Sequence, residues 1–186
     1  MSIHSDKLPR VSTILRVLDD SYAGVPQAAM DKAAERGEHL HQLCLSYLAS
    51  LDGMCDAPVE VRADYAPAYL AFVKWVTDNQ VSPVAVEQGS SSHKYGFRGT
   101  PDALILYGPH QMKTLLDLKF TAAIMRTNRV QVQAYWRLDL YQEAERVMLL
   151  HVKPLTGELK AHKITKNPHD WAAFMNALSV WKWRQQ

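Results

Sequence analysis

The sequence has only two cysteines, Cys44 and Cys55, among its 186 residues. Two cysteines exclude a disulfide framework and any zinc site or iron–sulfur cluster that takes four cysteine ligands from one chain. The first seven residues lack the apolar core of a secretory signal peptide. The chain also lacks an apolar run of about 18 residues, the length needed to cross a bilayer. We therefore expect reduced thiols, a cytoplasmic location and no membrane contact.

The sequence also lacks a strong excess of charge of either sign, because its formal net charge is only +2. That value excludes a histone-like protein but is compatible with an enzyme that has a local basic groove. The apolar fraction of 47% supports a sizeable core. The length predicts a single domain over residues 1–186, with a mainly helical part at 1–80, a central core at 84–153 and a C-terminal strand and helix at 154–186.

Hydrophobic periodicity predicts a chain of helices followed by alternating strands and helices. Residues 102–106 and 114–120 are almost continuously apolar, which is typical of central strands covered on both faces. The order predicts an α/β fold with a mixed β-sheet flanked by helices and an N-terminal helical segment. The predicted helices are 11–20 (capped at Ser12 or Thr13), 26–51, 62–80, 123–143 and 168–184, and the predicted strands are 84–87, 93–98, 102–106, 114–120, 147–152 and 158–164.

Two short strings carry the chemistry. Asp102 follows Gly99-Thr100-Pro101 at the start of one apolar strand, and Asp117-Leu118-Lys119 lies on the next. Two residues apart on a strand, Asp117 and Lys119 point to the same face. An Asp pair can hold a hard divalent cation, and a neighbouring Lys can stabilise or activate a water molecule. Composition alone gives about one carboxylate-x-Lys triplet by chance, and Glu158-Leu159-Lys160 is a second instance without an upstream acidic strand.

Each carboxylate also has a simpler interpretation. Asp102 alone is equally compatible with a turn residue. Asp117 and Lys119 alone are compatible with a surface ion pair, worth about 0–1 kcal/mol when exposed. Glu87 alone is typical of a solvent-facing glutamate on the first strand. Taken together, the three acids favour a metal-binding cluster in which Glu87 acts through water.

Further polar residues have two interpretations as well. His41 lies one turn after Gly37 on an apolar helix face, which by itself favours a hydrogen-bonded core residue over a ligand. Gln131 and Tyr135 are four apart and share a helix face, either as ordinary packing or as a brace for the site. The nearby cations are either solvated surface charge or contacts for DNA phosphates; they are Lys94, Arg98, Arg126, Arg129 and Arg137.

In order along the chain, these residues resemble the motifs of the PD-(D/E)XK nucleases, and more narrowly of the RecB-like, phage-type exonuclease branch. The string Pro9–Leu15 and Ala34–Gly37 also look like the N-terminal portion of phage-type members. The resemblance spans about residues 9–153 and implies a restriction-endonuclease-like sheet. The matching motifs are Gly37-x-x-x-His41, Glu87, Gly-Thr-Pro-Asp102, Asp117-x-Lys119 and Gln131-x-x-x-Tyr135.

The resemblance also implies roles. The ligands of Mg²⁺ or Mn²⁺ are then His41, Asp102, Asp117 and the backbone carbonyl of Leu118, and Glu87 acts through water. Lys119 positions or activates the nucleophilic water, and Gln131 and Tyr135 support Lys119 and the DNA backbone. The iron–sulfur cluster of some relatives is excluded, because its four cysteines are missing.

The expected function is a divalent-metal-dependent DNA nuclease, with an exonuclease as first choice, in phage or bacterial DNA recombination, repair or processing. The alternatives are a structure-specific endonuclease and a catalytically inactive DNA-binding module. The complete acid–acid–Lys set argues against inactivity. DNA is the expected partner, with a phage recombinase or a single-strand-binding protein as candidate protein partners in the cytoplasm of a bacterium or an infected host.

Overall fold

A computed structural model describes residues 8–18, 27–58 and 60–186. Parts of the predicted helices 11–20 and 26–51, and one position of the predicted loop 52–60, lie outside the described residues. The helices are α1 (Val11–Leu15), α2 (Gln27–Ser50), α3 (Ala66–Asp78), α4 (Arg126–Tyr135) and α5 (Pro168–Trp183). The strands are β1 (Ser82–Val86), β2 (Ser90–Ser92), β3 (Phe97–Gly99), β4 (Ala103–Tyr107), β5 (Met112–Lys119), β6 (Arg146–Val152) and β7 (Leu159–Ile164).

Five strands form one mixed sheet in the order β1-β4-β5-β6-β7. All neighbours are antiparallel except β5 and β6, which are parallel. A parallel pair needs a crossover connection, and here α4 lies in the segment that joins β5 to β6. The strands β2 and β3 form a separate hairpin. The predicted mixed sheet flanked by helices is confirmed.

Alternating side chains of β5 divide the core into two layers. Leu116 and Leu118 pack in the cluster formed with α2 and α3. Leu115 packs on the opposite face, in the cluster formed with α1, α4 and α5. Period-two alternation therefore places Asp117 and Lys119 on the face that α4 covers.

Two predicted elements are wrong in detail, one at the hairpin and one at the first helix. The predicted strand 93–98 is the turn and second strand of the β2–β3 hairpin, with Gly96 at φ 76° in the turn. The first helix has no side-chain cap at Ser12 or Thr13, because it begins at Val11. Its start is set instead by the preceding segment, where the Arg98 amide donates to the Pro9 carbonyl at 2.9 Å.

The predicted helix 123–143 is also too long, because α4 ends at Tyr135. The chain is extended at Leu138 and then forms a short 3₁₀ turn at Asp139–Tyr141. Leu138 and Tyr141 are fully buried, so the apolar pattern continues past the helix although the backbone does not. The turn brings the Tyr141 hydroxyl to the carbonyl of Gln88, to which it donates at 2.6 Å.

In residues 8–18, 27–58 and 60–186 no helix combines the length and the hydrophobicity needed to cross a membrane.

The loop between β6 and β7 packs against the start of α3 through Gly157. Gly157 has φ +70°, and a Cβ there would clash with the carbonyl group of Pro67. Gly53 has the same φ, but a Cβ there would meet no atom of the described residues within 4 Å. The two glycines therefore share the conformational requirement and differ in the space around them.

We expect Gly157→Ala to lower the free energy of unfolding by about 1–3 kcal/mol more than Gly53→Ala. Both variants carry the cost of a left-handed alanine, so the difference measures the clash with the Pro67 carbonyl. Urea denaturation of both variants measures this difference, and equal losses would show that the loop moves away freely.

Candidate functional site

Asp102 joins three elements at one end of the sheet. It precedes β4 and is only 8% exposed. Its Oδ2 accepts a hydrogen bond from the Leu118 amide of β5 at 2.5 Å and lies 3.0 Å from His41 Nε2 of α2. Its own carbonyl accepts from the Glu87 amide at 2.9 Å. These contacts fix the carboxylate beside the end of β5.

Asp117 is the least compensated polar group of the site. Its side chain is fully buried, and neither carboxylate oxygen has a hydrogen-bond partner among the described residues. Lys119 Nζ lies 2.6 Å from Oδ2, so the two form an ion pair without good hydrogen-bond geometry. Burial raises the pKa of Asp117 to about 6 against the attraction of Lys119, and the charge of Asp102 adds to the rise. The fold thus leaves an ionised Asp117 short of partners.

The two basic partners both have pKa values above their ordinary ones. Burial lowers the pKa of Lys119, but the charges of Asp117 and Asp102 raise it by more, so its net pKa shift is upward. Burial also lowers the pKa of His41, and its hydrogen bond with Asp102 and the charge of Asp102 more than offset that effect. Each carboxylate therefore has one basic partner, Lys119 of the same strand for Asp117 and His41 of α2 for Asp102.

The set of atoms suits a hard divalent cation, which prefers carboxylate and carbonyl oxygens. The buried oxygens of Asp117 without hydrogen bonds are the observation in favour of such a cation. Across the described part of the chain, however, no three His, Cys, Asp or Glu side chains converge as a metal site. The ligand set of His41, Asp102, Asp117 and the Leu118 carbonyl stays a prediction.

Gln131 and Tyr135 lie together on α4, as predicted. Gln131 Nε2 donates to the Tyr135 hydroxyl at 3.0 Å. Burial raises the pKa of Tyr135, and the charges of Asp117 and Asp102 raise it further. The ring packs tightly on Gly99, where a Cβ would lie 2.8 Å from Tyr135 Cε1.

Glu87 is less involved than the sequence predicted. It is exposed and follows the end of β1 with φ 47°, so the predicted strand 84–87 ends one residue early. Its carboxylate makes no hydrogen bond or ion pair with any residue in the described ranges. Its contact with the site is through its backbone amide, so a role for its side chain stays a prediction.

The predicted DNA-binding cations lie on different elements, α4, β3 and the hairpin turn. Arg129 pairs with Asp170 of α5 at 3.0 Å, which ties two helices together. Arg126 is exposed at the start of α4. Lys94 is exposed in the hairpin turn, with its Nζ 5.2 Å from the Tyr95 ring centre. A role of these residues in DNA binding stays a prediction.

Arg98 lines a cavity that the sequence did not reveal. The cavity has a volume of about 230 Å³ and is bordered by two arginines and three hydroxyl side chains. Its walls come from the segment before α1 and from the chain that joins β1 to β4, so it lies on the β1–β4 side of Asp102 and Asp117. The polar side chains on its walls are Arg10, Ser90, Ser91, Arg98 and Thr100.

Sequence reasoning missed the roles of Arg10 and Tyr141. Arg10 lies in the N-terminal motif that resembles phage-type nucleases, and this resemblance was the sequence feature that could have pointed to Arg10. Tyr141 fell inside an overlong predicted helix, and its hydroxyl holds the segment after Glu87. Burial raises the pKa of Tyr141 to about 12, and the charge of Asp102 also raises it.

No family model matches the sequence, and no curated protein matches it. Solved structures do resemble the fold. The protein SSO0001 has a TM-score of 0.51 at 14% identity, over 100% of this chain and 80% of that one. The alkaline exonuclease LHK-Exo from Laribacter hongkongensis has a TM-score of 0.51 at 11% identity, over 94% of this chain and 86% of that one. Its complex with dAMP gives 0.50 at 12% identity, over 95% and 87%.

At such low identity the likeness establishes the fold alone. The chain therefore has a nuclease-like fold, shared with an alkaline exonuclease. Membership in the RecB-like branch stays a prediction.

The raised pKa of Asp117 makes stability depend on pH. The pKa in the folded state, about 6, is above the ordinary value of 3.8. The folded state therefore binds more protons than the unfolded chain, and stability falls as pH rises from about 4 to about 7. Asp117→Asn removes this titration. We expect the stability of Asp117→Asn relative to wild type to be higher at pH 7 than at pH 4.

Urea denaturation at both pH values, without divalent metal, measures this difference. Asp78→Asn is the matched control, because Asp78 is an exposed partner of Lys74 on α3. A stability difference between Asp117→Asn and wild type that does not change with pH would contradict the account of a strained carboxylate.

Proposed function

We propose that this protein is a divalent-metal-dependent DNA nuclease of the PD-(D/E)XK superfamily, acting as an exonuclease. The observation that carries the proposal is the buried carboxylate of Asp117. It lacks hydrogen bonds to the described residues, lies beside Asp102 and Lys119, and is set in a fold shared with an alkaline exonuclease. A structural ion pair would not need a second buried acid whose charge opposes the ionisation of Asp117.

Asp102 and Asp117, with His41 and the Leu118 carbonyl, would hold Mg²⁺ or Mn²⁺. When bound, such an ion polarises the scissile phosphate and offsets the charge that develops during hydrolysis. The cation would also complete the coordination of Asp117, which the described residues leave without hydrogen bonds. The exposed carboxylate of Glu87 fits a contact through water.

Lys119 is suited to orienting the attacking water and stabilising negative charge. Its pKa is raised by the two carboxylates, so it remains protonated and is a poor proton acceptor. The Tyr135 hydroxyl accepts from Gln131, so its own proton remains available for a phosphate oxygen. We therefore assign Lys119 an electrostatic role rather than that of a general base.

DNA is the inferred substrate. The cavity between the segment before α1 and the chain that joins β1 to β4 carries two guanidinium groups and three hydroxyls, which are suitable donors for a phosphate group. The dAMP complex is a property of the alkaline exonuclease and is compatible with a nucleotide substrate here. A structure-specific endonuclease and an inactive DNA-binding module remain the competing functions. Action in recombination or repair beside a recombinase or a single-strand-binding protein stays a prediction.

We expect the purified protein to degrade end-labelled linear DNA when Mg²⁺ or Mn²⁺ is present and not when EDTA is present. An exonuclease needs a free end, so covalently closed circular DNA should persist under the same conditions. Cutting of the circle would favour the endonuclease. Binding of DNA without cleavage in either metal would favour the inactive module.

Lys119→Ala should reduce cleavage at least about 100-fold, the usual cost of losing a group that stabilises developing charge. Since the change also leaves buried Asp117 unpaired, the variant's fold must be checked by circular dichroism and urea denaturation. Lys119→Arg keeps the cation and tests whether charge or shape matters.

Lys163→Ala is the matched control, because Lys163 is exposed on β7 and its strand neighbour Met148 belongs to the opposite core layer. A folded Lys119→Ala with wild-type activity would exclude the assigned role.

A further inference from the structure

A row of basic side chains crosses the sheet from the candidate site to the β7 edge. The parallel register of β5 and β6 pairs Lys119 with His151. The antiparallel register of β6 and β7 pairs His151 with Lys160. Residues paired across neighbouring strands project to the same face of a sheet. We call Lys119, His151 and Lys160 the basic row.

The basic row lies on the face that carries Asp117. Its members become more exposed along the row, from Lys119 with 16% of its side chain accessible, through half-buried His151, to exposed Lys160. His151 Nε2 lies 2.7 Å from the Thr121 carbonyl, so this nitrogen carries a proton and the ring is anchored just beyond Lys119. The row is thus continuous with the site and opens to solvent at an edge strand.

One acidic residue, Glu158, lies among the basic residues at the outer end of the row. Glu158 precedes β7, and Lys153 Nζ lies 2.5 Å from its Oε2. Lys153 holds the pKa of Glu158 below its ordinary value, and His151 and Lys160 contribute. His162 is the next residue of β7 on this face, and burial lowers its pKa, with Lys160 and His151 adding to the effect. The negative charge of Glu158 would therefore repel an anionic ligand at the outer end of the row.

The dimensions of the row fit a single nucleic-acid strand. Two strand spacings separate Lys119 from Lys160, or about 10 Å. A row of this length can meet more than one phosphate of a single strand. A single file of basic side chains suits one strand, with the ammonium groups of Lys119 and Lys160 as donors to phosphate. The cavity that contains Arg10 and Arg98 lies on the opposite, β1–β4 side of the carboxylates.

We propose that the basic row binds the phosphodiester backbone of the substrate strand and leads it from the site across the β7 edge. This inference rests on the proposed nuclease function and names the path of the strand on the protein. It gives Lys160 a function distinct from catalysis, although its triplet Glu158-Leu159-Lys160 resembles the catalytic one only by chance.

The test is the binding of a short fluorescein-labelled single-stranded oligonucleotide, followed by anisotropy without divalent metal over a series of salt concentrations. Lys160→Ala removes the exposed end of the row. Lys163→Ala removes the same charge from the same strand on the opposite face. Glu158→Gln removes the opposing acid. All three positions are exposed, so the variants should fold, and urea denaturation checks this.

We expect Lys160→Ala to weaken binding roughly two- to fivefold and to reduce the slope of log K against log salt by about 0.7, the value for one phosphate contact on a single strand. Lys163→Ala should change neither quantity, and Glu158→Gln should tighten binding. The salt slope would not respond to a merely structural role.

Equal binding by Lys160→Ala and Lys163→Ala would overturn the basic row, and so would a Glu158→Gln variant that binds no more tightly than wild type. If wild type still cleaves DNA in either case, the proposed function stands without this path. If wild type neither binds nor cleaves DNA with Mg²⁺ or Mn²⁺, both proposals fail.

Discussion

The burial of Asp117 without a hydrogen bond to the described residues is the constraint on which the rest of the site depends. An ionised carboxylate removed from water is costly unless it is paired, and a single lysine with imperfect geometry compensates only part of that cost. The protein places a second acid, Asp102, close enough to raise the pKa of Asp117 further. A divalent cation bound between the two carboxylates would offset the cost of burying them.

The fold follows from holding these groups at one end of the sheet. β5 must be central, so that Leu116 and Leu118 face one core layer while Asp117 and Lys119 face the other. The Leu118 amide and His41 fix Asp102 from two directions. The crossover through α4 brings Gln131 and Tyr135 over the same face. The parallel pairing of β5 with β6 then extends the site sideways into the basic row.

Local patterns were sufficient to predict β4, β5 and the shared face of Asp117 and Lys119. Continuous apolar residues define the strands, and period-two alternation defines the face. The pairing of His41 with Asp102 was beyond the reach of local patterns, because the two residues are far apart in the chain. The early end of α4 was not predictable either, since apolar spacing continues to Tyr141 while the backbone turns.

Strand β2 and the cavity were missed for a related reason. Three serines in succession, Ser90–Ser92, give no alternation of polar and apolar residues, so β2 leaves no signal in the sequence. The cavity is formed by segments that are distant in the sequence. The motif that contains Arg10 resembles phage-type nucleases, but this resemblance does not predict a role for Arg10. The basic row needs the register of three strands, and register is set by tertiary packing rather than by local sequence.

The most direct test is calorimetric titration of the folded protein with Mn²⁺, with Mg²⁺ as competitor. Wild type should bind Mn²⁺, Asp117→Asn should lose that binding, and Asp78→Asn should bind as wild type does. Absence of Mn²⁺ binding by folded wild type, or undiminished binding by Asp117→Asn, would contradict the account.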